Sequence, residues 1–160
     1  MEHYEIERKY LIRIPSRLGD LPSVHMEQTY LVNPAATERV RKIIQNGVTV
    51  WRHTFKKRVS GMTCIEDERE IPETAALALL QRPRVGRTVV KDRYFYDYEG
   101  HTFEIDVYPF WRRQCVMEVE MKEESEPVRL PPDVTVIREV TGQRRYKNAA
   151  LAREIPEEDL

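Results

Sequence analysis

Cysteine is nearly absent from this 160-residue chain, with only Cys64 and Cys115. The two stand in neither CxxC nor zinc-finger spacing, which excludes a disulfide scaffold and a structural zinc site and leaves two reduced, structural thiols. His3, His25, His53 and His101 are scattered singly, with no HExxH, and read as ordinary surface or core residues. No stretch approaches the ~18 consecutive apolar residues of a membrane helix. Glu2, Glu5 and Glu7 stand where a secretory signal places a basic and then an apolar run. A cytoplasmic protein with no membrane partner is expected. Net charge is lacking too: 26 Lys and Arg stand against 27 Asp and Glu, a balance of −1. That removes the bulk electrostatic case for nucleic acid, so any anion site has to be local. Walker A, GxGxxG and nucleophilic Ser or Cys constellations are missing as well.

What the chain has in excess is charge of both signs, 33% against the roughly 25% usual for globular proteins. Its length and its 41% hydrophobic content suit one globular domain over residues 1–160. Period-two segments dominate: Tyr4–Ile12, Val24–Val32, Glu38–Ile44, Thr49–Arg58, Met62–Ile71, Thr88–Tyr98, Thr102–Tyr108 and Gln114–Lys122. Turn signals such as Asn46-Gly47, Ser60-Gly61 and Glu99-Gly100 separate them, so about eight antiparallel strands are predicted. PETAALALLQ, from Pro72 to Gln81, predicts one helix, and KNAALARE predicts a short one near the C-terminus. Between them lies a looser segment with Pro127, Pro131 and Pro132.

Residues two apart on a strand share a face, so charged pairs at that spacing are local clusters. Acids recur as Glu5 with Glu7, Glu66 with Glu68 and Glu70, Glu104 with Asp106, and Glu118 with Glu120. Cations recur as Arg39 with Arg41, Lys91 with Arg93, and Arg145 with Lys147, joined by Lys9 and Lys56. Any one of these segments is equally a solvated sheet face. Solvent faces, however, mix signs, because like charges side by side repel. Repeated segregation by sign points instead to a closed barrel with a charged lumen and an outer face covered by helices. If fully ionised, that lumen would be close to neutral, and two divalent metals would let it accept a triphosphate. Carboxylate oxygens suit Mg²⁺ or Mn²⁺, and Arg and Lys suit phosphate. EIERK, residues 5–9, therefore reads as metal ligands and a phosphate ligand on one strand.

The same stretch resembles the ExExK signature of the CYTH domain, or triphosphate tunnel metalloenzyme, family. QTYL, ERVR, TFKK, EREI, VKDRY, FEIDV, MEVE and RYKN follow in the order, and with nearly the spacing, of its short bacterial members. The resemblance implies a mainly β fold: a closed eight-stranded antiparallel barrel forming a tunnel, with a few flanking helices. It implies Glu5, Glu7, Asp106, Glu118 and Glu120 as metal-facing acids, with Glu68, Glu70 and Glu104 lining the tunnel. Lys9, Arg39, Arg41, Lys56, Arg87, Lys91, Arg93 and Lys147 correspond to triphosphate contacts, and Lys91 with Tyr30 to a catalytic pair. Glu66 departs from the pattern, standing where related chains often carry a basic residue. The activity implied is metal-dependent hydrolysis of inorganic triphosphate to pyrophosphate and phosphate, by a monomer or homodimer. Alternatives are an adenylyl cyclase or a thiamine or nucleoside triphosphatase of the same family, and a polyphosphate- or nucleotide-binding module without turnover.

Overall fold

In the computed structural model, which describes residues 2–157, nine strands form one sheet. In chain order they are β1 (Glu2–Arg13), β2 (Ser23–Leu31), β3 (Thr37–Gln45), β4 (Val48–Arg58), β5 (Thr63–Ile71), β6 (Val89–Tyr98), β7 (His101–Val107), β8 (Gln114–Met121) and β9 (Val136–Glu139). Helix α1 (Glu73–Leu79) follows β5, and α2 (Asn148–Leu151) closes the order. The eight long strands fall on the eight predicted segments. The ninth was not expected, being four residues long and lying beyond the proline-containing stretch. The RYK run is not strand either: Arg144–Tyr146 is a single 3-10 turn and Lys147 precedes α2, so Arg145 and Lys147 do not share a strand face.

The sheet runs β5-β4-β3-β2-β6-β7-β8-β1-β9, and a further β5–β1 pairing closes the first eight strands into an antiparallel barrel. Strand β1 makes the seam. One of its edges pairs with β8 from Ile6 to Arg13, while the other pairs with β5 over Glu2–Ile6 and then with β9 over Tyr10–Ile12. Tight hairpins hold the register of the neighbours. At Asn46-Gly47 and Glu99-Gly100 both turn residues have positive φ, which suits two-residue loops whose twist matches that of the strands.

Outward-facing residues make two apolar layers. Tyr10, Ile12, Phe103, Ile105, Cys115, Met117 and Val119 cluster under Ile14, Leu18, Leu21, Val128, Leu130 and Val134. Leu31, Val40 and Trp51 pack against Ala76 of α1, with Leu79 and Leu80 beside it. Inward-facing columns change character along the barrel. Leu11 follows Lys9, Val116 precedes Glu118 and Val89 precedes Lys91, and these join Tyr30, Tyr108, Trp111, Tyr146 and Leu151 in one buried cluster. Leu11 is fully buried there, and Leu11→Ala should cost about 2–5 kcal/mol. One end of the lumen is thus apolar and packed, and the charged residues occupy the rest. Among the described residues, no helix is long and apolar enough to cross a membrane.

Candidate active site

Every second residue of the barrel strands faces inward, and these residues line a cavity of about 370 Å³. Going round the closed barrel, β5 supplies Glu66 and Glu68, β1 supplies Glu5, Glu7 and Lys9, β8 supplies Glu118 and Glu120, and β7 supplies Glu104. Then β6 supplies Arg93, β2 the uncharged Met26 and Tyr30, β3 Arg39 and Arg41, and β4 Arg52, Thr54, Lys56 and Arg58. The lumen therefore has an acidic wall on four consecutive strands and, facing it, a basic wall carried by β6, β3 and β4. Lys9 is the cation set into the acidic wall, and Lys147 reaches the cavity from the segment before α2. Eight cations face seven carboxyl groups, so the fixed charges of the lumen nearly balance, with a small positive excess.

Along the lumen wall the two signs already touch, in part between directly opposite residues of neighbouring strands. The Lys9 ammonium stands 3.3 Å from Glu118, and Lys56 lies between Glu5 at 2.9 Å and Glu66 at 3.2 Å. Arg39 donates to Glu68 at 3.2 Å, and Thr54 donates to the same carboxylate at 2.7 Å. Despite burial, the Thr54 hydroxyl and the Arg39 and Arg41 charges hold Glu68 down at about 2. Arg41 is bonded by the Gln28 amide oxygen at 2.6 Å, and Gln28 in turn donates to the Tyr30 hydroxyl at 3.0 Å. Burial and then the neighbouring Arg39 and Arg93 charges bring Arg41 down to about 9, a strained cation that an anion would relieve.

Glu7 behaves unlike the rest. Burial, then the Glu118 and Glu5 charges, push its carboxyl up to about 8, so near neutral pH it keeps a proton. Glu118 is held well below the usual carboxylate range against its burial by Lys9, Arg93 and Lys91, and it accepts a hydrogen bond from Glu7. Carboxyl groups crowded on hard oxygen donors suit a divalent cation, which would displace the proton of Glu7 and free the lysines. Among the described residues, no three His, Cys, Asp or Glu side chains are gathered at metal-binding distance. Glu5 and Glu118 are instead engaged in ion pairs with Lys56 and Lys9.

The barrel brings together in this cavity Lys9, Arg39, Arg41, Lys56, Arg93 and Lys147, with Glu5, Glu7, Glu118, Glu120, Glu68 and Glu104. Four expected residues lie elsewhere. Arg87 is exposed in the loop before β6, where its backbone N–H bonds Ala152, and Glu70 is exposed on β5 beside Trp51 and Pro72. Lys91 and Asp106 face inward but are sealed behind the cavity surface: Asp106 accepts from Lys91 at 2.6 Å and from Arg93 at 2.7 and 2.9 Å. Against its burial, the Arg93 and Lys91 charges and then the Arg93 hydrogen bonding hold its carboxyl at about 2, and these contacts leave it engaged rather than open to a metal. Among the described residues no hydrogen bond joins Lys91 to Tyr30: the phenol accepts from Gln28, and Lys91 donates to Asp106. Sequence reading passed over Gln28, Arg52, Thr54 and Arg58, which strand parity alone would have placed inside. It also passed over Asn148, whose oxygen accepts from the Tyr108 hydroxyl at 2.6 Å; no period-two pattern marks it.

A closed antiparallel barrel with a lumen split between carboxylates and guanidinium or ammonium groups defines a class of anion-binding tunnel proteins. Comparison with known proteins places the chain within that class. It is 34% identical to an inorganic triphosphatase of Nitrosomonas europaea over 95% of this chain and 99% of the relative. It is 28% identical to an inorganic triphosphatase of Acetivibrio thermocellus over 93% of each chain. A crystal structure of an inorganic triphosphatase, 34% identical, superposes with a TM-score of 0.58 over 95% of this chain and 96% of the other. No family model matches the chain. On the strength of these relatives, the chain belongs to the CYTH, or triphosphate tunnel metalloenzyme, family that includes such inorganic triphosphatases.

Proposed function

We propose that this protein is a metal-dependent hydrolase of inorganic triphosphate, releasing pyrophosphate and phosphate inside the barrel. The observation that carries the reading is the division of the lumen into one acidic and one basic wall, in a chain akin to inorganic triphosphatases. Arg39, Arg41, Lys56 and Arg93, with Lys9 and Lys147, would hold the phosphate chain, the arginines as forks and the lysines as point charges. Glu5, Glu7, Glu118 and Glu120 lie on the paired strands β1 and β8 and would hold Mg²⁺ or Mn²⁺. A divalent ion held there would supply charge against the phosphate oxygens and would acidify or position water. The protein's own part is to keep the phosphate chain extended between the two walls, so that its negative charge meets fixed positive charge without reorganisation. A cavity of about 370 Å³ is near the small end of ligand pockets and favours a substrate without a bulky organic group.

The test is phosphate release from inorganic triphosphate, ATP and thiamine triphosphate in parallel, with Mg²⁺, with Mn²⁺ and with chelator, alongside Glu118→Gln. Turnover of the inorganic substrate that needs metal and is lost in the variant is the expected result. Cyclic AMP formed from ATP, or binding of these compounds without turnover, would replace this reading with a cyclase or a sensor.

A further inference from the structure

Asn148 begins α2, and its side chain stands between the lumen and the sealed Lys91. Its carboxamide oxygen accepts from the Tyr108 hydroxyl at 2.6 Å and from the Lys91 ammonium at 3.5 Å. Turning the amide over would take this acceptor from the buried Tyr108 hydroxyl and, while Lys91 is protonated, set N–H against N–H. Tyr108 is itself buried, with its ring 5.9 Å from the Lys91 nitrogen, so the group that orients the amide is held by packing. With the oxygen engaged on this side, the amide nitrogen points away from Tyr108 and Lys91, and it has no acceptor among the described residues. Asn148 lines the lumen cavity, flanked by Lys147 and Ala149. The same segment is tied to the acidic wall from the other side, where Lys9 donates to the Tyr146 carbonyl at 3.3 Å.

We infer that Asn148 is a substrate-binding residue, whose amide N–H donates to a phosphoryl oxygen in the lumen while Tyr108 and Lys91 fix its orientation. The inference rests on the triphosphatase reading above. A neutral donor adds what the surrounding cations do not: it favours a phosphate oxygen at one position, whereas point charges hold the anion in many. Tyr108 then acts as a positioning residue, touching the substrate only through Asn148.

Steady-state kinetics on inorganic triphosphate with Mg²⁺ test this, using wild type, Asn148→Ala, Asn148→Asp and Tyr108→Phe, with Tm recorded for each. Asn148→Ala is expected to raise KM about tenfold, the usual effect of one hydrogen bond to a charged group, with kcat changed far less. Asn148→Asp has the same shape but turns an acceptor toward the phosphate, and should raise KM further. Tyr108→Phe frees the amide to rotate and should raise KM less than either. Should the alanine protein fail to fold, the isosteric Asp variant carries the test. Asn148 variants with wild-type KM, differing only in Tm, would overturn the inference and leave Asn148 as a structural joint. Wild type without turnover would instead overturn the triphosphatase reading, and this inference with it.

Discussion

Lys91 and Asp106 meet at 2.6 Å, and neither side chain exposes any surface to solvent. The Asp106 carboxylate also holds Arg93, so one buried acid stands between two buried cations. Removing the acid leaves Arg93 with Glu104 alone and leaves Lys91, already brought down to about 7 by its burial, without a carboxylate, and breaking such a buried pair commonly costs about 3–5 kcal/mol. Asp106→Asn is expected to fall in that range in urea unfolding and to lose activity through displaced Arg93. A loss below about 1 kcal/mol would mean that the pair is hydrated in solution and contributes little.

Glu7 makes stability depend on pH in the unusual direction. The folded protein keeps its proton up to about pH 8, while the ordinary carboxyl value is 4.5. Between those values the folded state binds the extra proton, so the contribution of this group falls as pH rises. With chelator present, Tm is expected to decline from pH 5 to 8. Glu7→Gln, which cannot ionise, should flatten the decline and melt higher than wild type at pH 8. Mg²⁺ should raise the wild-type Tm at that pH and the variant's much less. Parallel curves for both proteins would assign the proton to another group.

Tyr30 is bonded to Gln28, which holds Arg41. Tyr30→Phe is therefore expected to act through Arg41, raising KM while leaving the pH optimum and most of kcat in place. A fall in kcat with a shifted pH profile would show that the phenol works directly with Lys91 instead.

Position in the barrel separates the basic residues. Arg87 is exposed outside the cavity, and Arg87→Ala is expected to keep kcat/KM within about twofold of wild type. Arg39 is buried, lines the lumen and has a buried Nε without a hydrogen-bond partner. Arg39→Ala should lower kcat/KM by roughly tenfold to a hundredfold, the range of a hydrogen bond to a charged group. Equal effects for the two variants would argue that the phosphate chain extends out of the lumen.

Glu38 faces outward, nearly inaccessible, with Arg82 donating twice at 2.8 Å, Asn33 at 3.0 Å and His53 at 2.7 Å. Against its burial, these partners hold it at about 2. Its stabilising effect is complete above the ordinary value of 4.5 and is lost as pH falls from there toward 2. Glu38→Gln is expected to lower stability by roughly 3 kcal/mol at pH 7 and to make the protein less sensitive to acid over that range. An unchanged acid transition would show that other carboxylates govern it.

Strand parity explains why so much was legible beforehand. Sign segregation in EIE, EVE, RVR and KDR was enough to close the barrel and to put Glu5, Glu118, Arg39 and Arg93 inside it. Parity fails at the ends of strands and beyond them. Glu70 has the inward phase, but β5 by then has run past the lumen, so its side chain meets solvent. Arg87 and Arg145 lie on no strand, and their neighbours two away say nothing of where they point. Depth is equally hidden: Asp106 and Glu104 share a face, yet two cations bury the first while the second lines the cavity. Those outcomes depend on pairing between strands far apart in the chain.

The seam strand β1 has a kinetic consequence. Strands β2 to β5 form a meander of neighbours that can pair as soon as each hairpin turns. Strand β1 comes first in the order but finds β8 only about a hundred residues later, and its other edge needs β5 and then β9. Such non-local closure is slow, because the loop entropy is lost before the contacts form. The basic wall can thus assemble early, whereas the acids of β1 and β8 come together only in the closing step. Refolding followed by backbone order should therefore run ahead of refolding followed by metal binding.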